Sequence, residues 1–539
     1  NMEGFKMSLI NSINRRNFLI TSGSLAGLSV LPWMSPNAAF GADQTLTLAL
    51  PNNPANFDPA HQANHDTMAC SQVVFENLLE VDTDGNIQPM LAKSWSVSED
   101  GLTYIFDLRD DVYFHNGQKM TAEDVKYSYD TVRDKKYKLR RRSLWTPIKE
   151  VIIESPTKIR FDMEFPYNDL PKLMTKYMGV WPKGSREPGQ PGDAAGENAI
   201  KKGPVGLGTG PGIFVKFVSN DYVEFKRNPN YWRKDVPKWN KLIFKVVPED
   251  AVRVAYLLTN QAQVITAPPP REFVRLKDFK GISGASKPSY GFMMLTMNLA
   301  AAPMDDINFR FAVSRAINRE EIAKLFGGVF TPHAVFTFAG NAPGRPFNLE
   351  AEKALDFNLD SAKEYLSKSK YPNGTDFELV IPAVPYIVNV SEAALLLQGQ
   401  LAKIGIKVRI QTLQMRSYFK KAFGKDKTNN MHVFMNPPST TYGLAGQFFS
   451  GRKIQLAKNF EKLYPETSKE FDEATRKAWA SKTSSEAEVH VEKMQGLIAR
   501  ECTGIAIGNV SAANLWRSDV KGFDVNTCVT MRTRNLSLE

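Results

Sequence analysis

Two groups of residues have types and spacing that could support chemistry. In the first group, His61 and His65 stand beside Asp58 and Asp66, a combination of side chains that can bind a transition metal. Histidines four residues apart can bind one metal ion only if a helix places them on the same face. Asp58 followed by Pro59 instead indicates that the segment is a loop, at least at the start of the segment. We therefore expect solvated or structural roles for these side chains and no metal site.

The second group is a run of alternating glycines at Gly206, Gly208, Gly210 and Gly212. Their spacing does not give GxGxxG, so the simpler interpretation is a tight backbone path and not a dinucleotide site. The sequence also lacks GxSxG, HExxH, CxxC and the Walker loop. We therefore expect that the protein is not an enzyme and uses no cofactor.

The segment 98–125 predicts a hairpin, a loop and a capped helix in close succession. Tyr104, Phe106 and Leu108 alternate with residues of the opposite face, which is the period of two of a strand. Thr121 can accept hydrogen bonds from the first free amides of a helix, so it is expected to cap one. Similar alternation predicts further strands at 46–50, 159–163, 222–227 and 242–247.

The second half of the chain alternates helical and strand patterns. Asn318 and Glu321 have the spacing of a capping box, in which each side chain bonds the other residue's backbone amide. A helix is predicted over 390–404 and a strand over 406–410 behind it. This order favours an α/β fold with largely parallel pairing in this half.

The motifs SEDGLTYIFDLR, FHNG and TAEDV in residues 98–125 resemble the signature of the extracytoplasmic solute-binding proteins of family 5. That family serves peptide, opine, nickel and sugar importers. The resemblance covers almost the whole mature chain. It continues in order through PMLAKSW at 89–95, GTGPG at 208–212, RNPNYW at 227–232, VPEDAVRVAYLL at 247–258, FRFAVSRAINRE at 309–320 and QLAKIGIKV at 400–408.

The resemblance implies an α/β fold of two lobes, the Venus-flytrap arrangement of cluster C binding proteins. Lobe I is expected at 43–288 plus 505–539, with an inserted α+β subdomain at about 89–205, and lobe II at 289–504. Two crossing segments would then form the hinge. A mature chain of about 500 residues also exceeds what one hydrophobic core usually supports.

The resemblance also implies a periplasmic protein that captures a small solute between its lobes. It would deliver the solute to an ABC permease and its ATPase subunits at the inner membrane. A ligand shifts the equilibrium between the open and closed forms only if it binds the closed form more tightly than the open form. It must therefore touch both lobes. An exported chaperone or sensor on the same fold, or a hydrolase, is a less favoured alternative.

Three loops and one strand end are placed at the ligand cleft by the resemblance. The loops are 52–57, 382–389 and 435–449, and the strand end follows the apolar run FMMLTMN. Each of these side chains has an alternative, structural role, either packing over the edge of the hydrophobic core or making a hydrogen bond within a turn. The expected ligand contacts are Asn56, Phe57, Asn298, Tyr386, Asn436, Thr441 and Tyr442.

The third loop departs from the pattern of peptide-binding members of the family. Those members carry an acidic residue there, which pairs with the ligand's ammonium group, whereas residues 431–449 contain none. Burial of an ammonium group without a carboxylate partner is costly. We therefore favour a sugar, an opine-like conjugate or another non-zwitterionic solute, with a di- or oligopeptide as the alternative.

The amino-terminal segment resembles a twin-arginine export signal. NRRNFL at 14–19 precedes a moderately apolar run to Leu31 and then a stretch of small residues. We expect a signal peptide over 1–42, cleaved near Gly41 or Ala42. No cysteine stands there to carry a lipid anchor, so the mature protein is expected to be free in the periplasm.

Charge and cysteine content suggest no further partner. The chain carries a formal net charge of +11, and its densest basic run, KKYKLRRR at 135–142, lacks stacking aromatics or a nucleic-acid motif. We expect a solvated surface there, no nucleic acid and a monomer. Cys70, Cys502 and Cys528 are an odd set, so one thiol stays unpaired within the chain; Cys502 with Cys528 is the plausible bridge, and the pairing is left open.

Overall fold

A computed structural model describes residues 44–54, 56–61, 65–193, 200, 202–335, 348–383, 389–423, 430–434, 457–525 and 531–539. The strands in this part of the chain are β1 (Thr45–Leu50), β2 (Leu79–Val81), β3 (Ile87–Pro89), β4 (Ala92–Val97), β5 (Thr103–Leu108), β6 (Ile148–Ser155), β7 (Lys158–Met163), β8 (Gly212–Val218), β9 (Tyr222–Arg227), β10 (Lys241–Val246), β11 (Val264–Thr266), β12 (Ile282–Asn298), β13 (Phe330–Pro332), β14 (Asp376–Pro382), β15 (Lys407–Leu413), β16 (Asn430–Phe434), β17 (Ala457–Lys458), β18 (Ile505–Arg517), β19 (Val520–Lys521) and β20 (Ser537–Leu538). The helices are α1 (His65–Val74), α2 (Ala122–Arg133), α3 (Leu170–Leu173), α4 (Asp250–Leu258), α5 (Pro270–Leu276), α6 (Ile307–Ala316), α7 (Arg319–Lys324), α8 (Leu349–Leu355), α9 (Leu359–Lys368), α10 (Val390–Ala402), α11 (Met415–Phe423), α12 (Phe460–Leu463), α13 (Pro465–Ala480) and α14 (Ser484–Glu501).

Twelve of the described strands form one mixed sheet. Their order is β15-β14-β16-β12-β18-β11-β1-β10-β9-β8, with β13 also paired to β18 and β17 to β12. β1 pairs in parallel with β10 and β11, and β14 pairs in parallel with β15. The prediction of an α/β fold is confirmed, and the sheet also contains antiparallel pairs that the helix-strand alternation did not indicate.

The longest strand pair lies in the middle of this sheet. β12 and β18 run antiparallel from the pair Ile282 and Arg517 to the pair Leu295 and Ile505, with register shifts after Pro288 and after Met293. On the outer side of β18 lies β11, whereas β16 borders the carboxyl-terminal half of β12. Both long strands therefore pass from one half of the sheet to the other, as two crossing segments would.

A separate four-stranded antiparallel sheet has the order β4-β5-β7-β6. β5 has the predicted alternation, with Tyr104, Phe106 and Leu108 buried on one face. α2 follows with the predicted cap, because Thr121 accepts from the Glu123 amide and its own amide donates to Asp124 at 2.8 Å. The predicted hairpin, loop and capped helix are confirmed.

The predicted capping box at Asn318 is only half formed. The Asn318 side chain accepts from the Glu321 amide at 3.0 Å, as expected. Its own amide, however, donates to the Gln400 side chain at 3.0 Å and not to Glu321. Gln400 in turn donates to a Glu321 carboxylate oxygen at 2.9 Å. A residue from α10 therefore replaces the local partner, so the second half of the prediction is wrong.

The glycine run packs directly on the end of α1. The Gly210 amide donates to the Val74 carbonyl at 2.9 Å. A Cβ at Gly208 would lie 1.9 Å from the same carbonyl oxygen, and one at Gly210 would lie 2.4 Å from the Val73 carbonyl oxygen. The run is thus a tight backbone path, as predicted, because backbone atoms occupy the space that larger residues need.

We expect Gly208→Ala to destabilise the protein by about 3 kcal/mol, because the added methyl group would overlap the Val74 carbonyl. Gly399→Ala is the matched control, since Gly399 lies in α10 with open space around its Cβ position. Alanine there should stabilise by up to about 1 kcal/mol through helix propensity. Urea unfolding of both variants tests this, and equal effects would contradict the close-packing explanation.

Candidate ligand-binding site

Amide side chains hold the loop that follows β1. Asn52 donates from Nδ2 to Asp66 Oδ2 at 2.9 Å. The Asn53 side chain accepts from the Asn220 amide at 2.9 Å and donates to the Ser219 hydroxyl at 3.2 Å. The start of the first predicted ligand loop is therefore anchored to α1 and to the turn between β8 and β9.

The end of the same loop is anchored by a buried ion pair. Asn56 accepts from the Asp58 amide at 2.9 Å, which closes a local turn. The Asp58 carboxylate accepts two hydrogen bonds from the Arg186 guanidinium, at 2.7 and 3.0 Å, and both side chains are almost fully buried. The guanidinium also lies 3.6 Å from the centroid of the Trp181 ring. This pair fixes the loop against a segment more than 120 residues away in sequence.

Phe57 points into the protein core. Its side chain has no exposed surface, and its ring makes edge contacts with Phe214 and Phe217 at centroid distances of 5.3 and 5.1 Å. These contacts are the packing role that was the alternative for this residue. Its role as a ligand contact stays a prediction, as does that of the half-buried Asn56.

Asp66 is a buried carboxylic acid beneath the same loop. Burial raises its pKa to about 6, although the hydrogen bond from Asn52 opposes this shift. Burial also raises the pKa of the neighbouring Cys70 thiol, and the charge of Asp66 adds to that effect. Burial beneath the loop therefore raises the pKa of both the Asp66 carboxyl and the Cys70 thiol.

Asn298 lies at the end of β12 and is held by its neighbours. Its side-chain oxygen accepts from Asn459 Nδ2 at 2.7 Å and from the Ala300 amide at 3.2 Å. The second bond is the turn role that was the alternative for this residue. Its contact with ligand stays a prediction.

Four of the predicted ligand contacts lie outside the described residues. They are Tyr386, Asn436, Thr441 and Tyr442. Their role stays a prediction. Cys502 is a free thiol, which contradicts the suggested bridge between Cys502 and Cys528. Cys70 and Cys502 are both buried, in different hydrophobic cores.

A buried carboxylate joins several of the motifs that carry the family resemblance. Glu76 accepts hydrogen bonds from the Thr209 hydroxyl at 2.9 Å, the Tyr231 hydroxyl at 2.7 Å and the Trp232 indole at 2.9 Å. Burial raises its pKa, and the three hydrogen bonds oppose that shift. Thr209 belongs to GTGPG and the two aromatic residues to RNPNYW, so Glu76 ties these motifs together.

The FHNG motif joins the same region through His115. Its amide donates to the Gly208 carbonyl at 2.7 Å, and Nε2 lies 3.0 Å from the Gly210 carbonyl oxygen. The neutral ring donates to that carbonyl, because burial lowers the pKa of His115 to about 4. His115 therefore has a structural role, because both its amide and its ring hold FHNG against the glycine run.

Sequence reasoning missed both Glu76 and the partnership of Asp58 with Arg186. Glu76 follows a run of mainly apolar residues in α1, and an acidic residue at a buried position is the signal that could have indicated it. No local signal pairs Asp58 with Arg186, because their separation along the chain exceeds any helix or turn spacing.

Metal ligation and membrane insertion have no support in the described part of the chain. It holds no group of three or more His, Cys, Asp or Glu side chains arranged for a metal ion. None of its helices has the length and apolar character needed to cross a bilayer. The side chain of His65 lies outside the described residues, so the absence of a metal site stays a prediction.

Comparison with known proteins identifies the family. The family model described as bacterial extracellular solute-binding proteins, family 5 Middle, matches residues 86–452. The chain belongs to this family. Its members are solute-binding components of ABC importers, and this chain has that function.

A curated relative and two solved structures support the same assignment. Di/tripeptide-binding protein 3 of Pseudomonas aeruginosa is 27% identical over 73% of this chain and 78% of its own length. The periplasmic binding protein AgaA from A. tumefaciens, solved with agropinic acid, covers 92% of this chain and 99% of its own, with a TM-score of 0.78 and 20% identity. DppA of Helicobacter pylori, solved with the peptide STSA, covers 92% and 98%, with a TM-score of 0.79 and 22% identity. The expected two-lobed binding-protein fold is thereby confirmed.

We expect Asp58→Asn to destabilise the protein by about 3 kcal/mol, because it leaves the buried Arg186 guanidinium without a charged partner. Glu123→Gln is the control, since it breaks an ion pair with Lys183 in which both side chains are more than half exposed. That change should cost less than about 1 kcal/mol. Urea unfolding midpoints test both, and similar losses would contradict the role of burial.

Asp66→Asn should alter the pH dependence of stability. The folded-state pKa of about 6 lies above the unfolded value, so the stabilising effect of neutral Asp66 is complete near pH 4 and is lost as the pH rises through 6. Asparagine stays neutral throughout, so the variant should gain about 2 kcal/mol relative to the wild type between pH 4 and pH 7. Unfolding free energies at both pH values measure this. A difference that is constant with pH would contradict a raised pKa.

Proposed function

We propose that the chain is the periplasmic solute receptor of an ABC importer and closes its two lobes around a small solute. The proposed lobes are 43–288 plus 505–539 and 289–504, with β12 and β18 as the hinge. The observation that carries this proposal is the crossing of these two long strands between halves of the sheet. A ligand in contact with both lobes would then select the closed form that a permease recognises.

The proposed ligand lacks a free ammonium group. This proposal depends on the composition of residues 431–449, which offer hydroxyl, amide and aromatic groups but no carboxylate. Such groups suit a hydroxyl-rich or anionic solute, for example a sugar or an opine-like conjugate. Support for the opine class comes from the structural likeness to AgaA, whose structure contains agropinic acid.

A di- or oligopeptide is the second candidate ligand. It is favoured by a specific observation, since the 27% identical relative from Pseudomonas aeruginosa is named a di/tripeptide-binding protein. Such a peptide would need another way to neutralise its ammonium group. The two candidates therefore differ in a property that a mass measurement can detect.

The remaining proposals concern export, partners and catalysis. We propose that residues 1–42 are a twin-arginine signal peptide that is removed near Gly41 or Ala42. The mature protein would act as a monomer that delivers its solute to a permease with its ATPases. It would have no catalytic activity, which agrees with relatives that are solute-binding proteins.

Native mass spectrometry of the protein purified from a periplasm without added ligand tests the proposed ligand class. We expect one discrete adduct with the mass of a sugar or conjugate, whereas a ladder of peptide masses would establish the alternative. Tyr442→Ala should weaken binding of the identified solute by about tenfold through loss of aromatic contact. Tyr113→Ala is the control, because Tyr113 is 44% exposed and lies outside the predicted ligand loops. Equal affinities for the two variants would contradict the assignment of Tyr442.

A further inference from the structure

The end of α13 is bonded to the loop that follows β7, which is distant in sequence. Asn168 donates from Nδ2 to the carbonyl oxygens of Ala478 and Ser481, at 3.0 and 2.7 Å. Its amide donates to the Trp479 carbonyl at 3.1 Å. Asn168 therefore donates to two carbonyls in the last turn of α13, which have no helical partners of their own, and to one carbonyl just beyond the helix.

The Trp479 side chain completes this contact. Its ring stacks on Phe165, with a centroid distance of 5.5 Å and an interplanar angle of 28°, and meets the Tyr167 ring edge-on at 5.3 Å. The indole N–H donates to Asp169 Oδ2 at 2.8 Å, and Asp169 is fully buried. A hydrogen bond to a buried carboxylate is stronger than one between neutral groups, so this contact is specific as well as apolar.

The Trp479 side chain also packs against both of the large hydrophobic cores. One core is formed mainly by residues 46–264, and the other mainly by residues 247–515. Among the described side chains, that of Trp479 is the partly buried one that packs against both. Under the proposed lobe boundaries, residues 165–169 belong to lobe I and residues 478–481 to lobe II.

We propose that Trp479 and its contacts with residues 165–169 form an interlobe latch. The latch stabilises the lobe arrangement described here through contacts between protein groups alone. The latch is defined as Trp479 together with Phe165, Tyr167, Asn168 and Asp169. This inference rests on the two-lobe division of the proposed function. A contact between protein groups of different lobes contributes directly to the equilibrium between lobe arrangements, because it must form or break when the lobes rotate.

The latch affects how much binding energy a solute needs to hold the lobes in the ligand-bound arrangement. If the ligand-bound arrangement keeps these contacts, the solute needs less binding energy to hold the lobes there. If it breaks them, the solute must supply that energy. In either case, loss of the Trp479 side chain changes the distribution of lobe distances in the absence of solute, and that distribution can be measured directly.

The test uses pulsed electron paramagnetic resonance between nitroxide labels on Val97→Cys and Leu395→Cys, without solute. Both positions are more than half exposed and lie in different proposed lobes, while Cys70 and Cys502 are fully buried. A Cys528→Ser background removes the third native thiol. For the labelled parent we expect a narrow distance distribution, which represents one dominant lobe arrangement. For Trp479→Ala we expect the population of this arrangement, relative to all other lobe arrangements, to fall by about tenfold.

Matched variants separate a latch from ordinary stabilisation. Trp232→Ala removes the same side chain, also partly buried and also donating its indole N–H to a buried acidic group, that of Glu76 at 2.9 Å, from a contact that lies within proposed lobe I and away from the hinge strands. It should lower the melting temperature and leave the distance distribution unchanged. A Trp479→Ala distribution identical to that of Trp232→Ala would overturn the proposal.

Milder changes keep the test valid if Trp479→Ala does not fold. Trp479→Phe keeps an aromatic ring against Phe165 but loses the N–H that bonds Asp169, and Asn168→Ala loses the two side-chain bonds to α13. Each should give a smaller shift in the same direction, and no shift in either would overturn the latch. Because no solute is present, failure here is distinguishable from failure of the proposed function, which the mass spectrum of the purified protein tests.

Discussion

The antiparallel pairing of β12 with β18 is the interaction on which the rest of the large sheet depends. β11 and the strands beyond it are attached through β18, whereas β14, β15 and β16 are attached through β12. Where the register shifts, side chains maintain the pairing, because the Ser289 hydroxyl donates to the Val510 carbonyl at 2.6 Å and Asn509 donates to the Ser289 carbonyl. Both halves of the protein are thus joined by two strands whose irregularities lie at the crossing.

Several motifs that carry the family resemblance hold together the architecture of the first half. GTGPG, FHNG and RNPNYW meet around Glu76 and the end of α1, where a buried carboxylate must find donors to offset its desolvation. These contacts lie within the scaffold of the first half. Structures solved with agropinic acid and with the peptide STSA share this fold with the chain.

The proposed ligand contacts lie on a different set of segments. The loop after β1 is anchored at both ends, by Asn52 on Asp66 and by Asp58 on Arg186, and these contacts restrict the positions of its two ends. Preorganisation of this kind lowers the entropy lost on binding. The Trp479 contacts would act on the same equilibrium from outside the ligand loops, because they join parts of the chain that belong to different proposed lobes.

The sequence by itself determined the local elements and the family. The β5 alternation, the Thr121 cap and the tight path of GTGPG were predicted correctly, because periodicity, capping and steric demands act over a few residues. Only the tertiary structure decided which distant groups meet, as Gln400 does at the Asn318 cap, or Arg186 at Asp58. The physical reason is that a buried polar group needs some partner, but the topology of the chain determines which one lies within hydrogen-bonding distance.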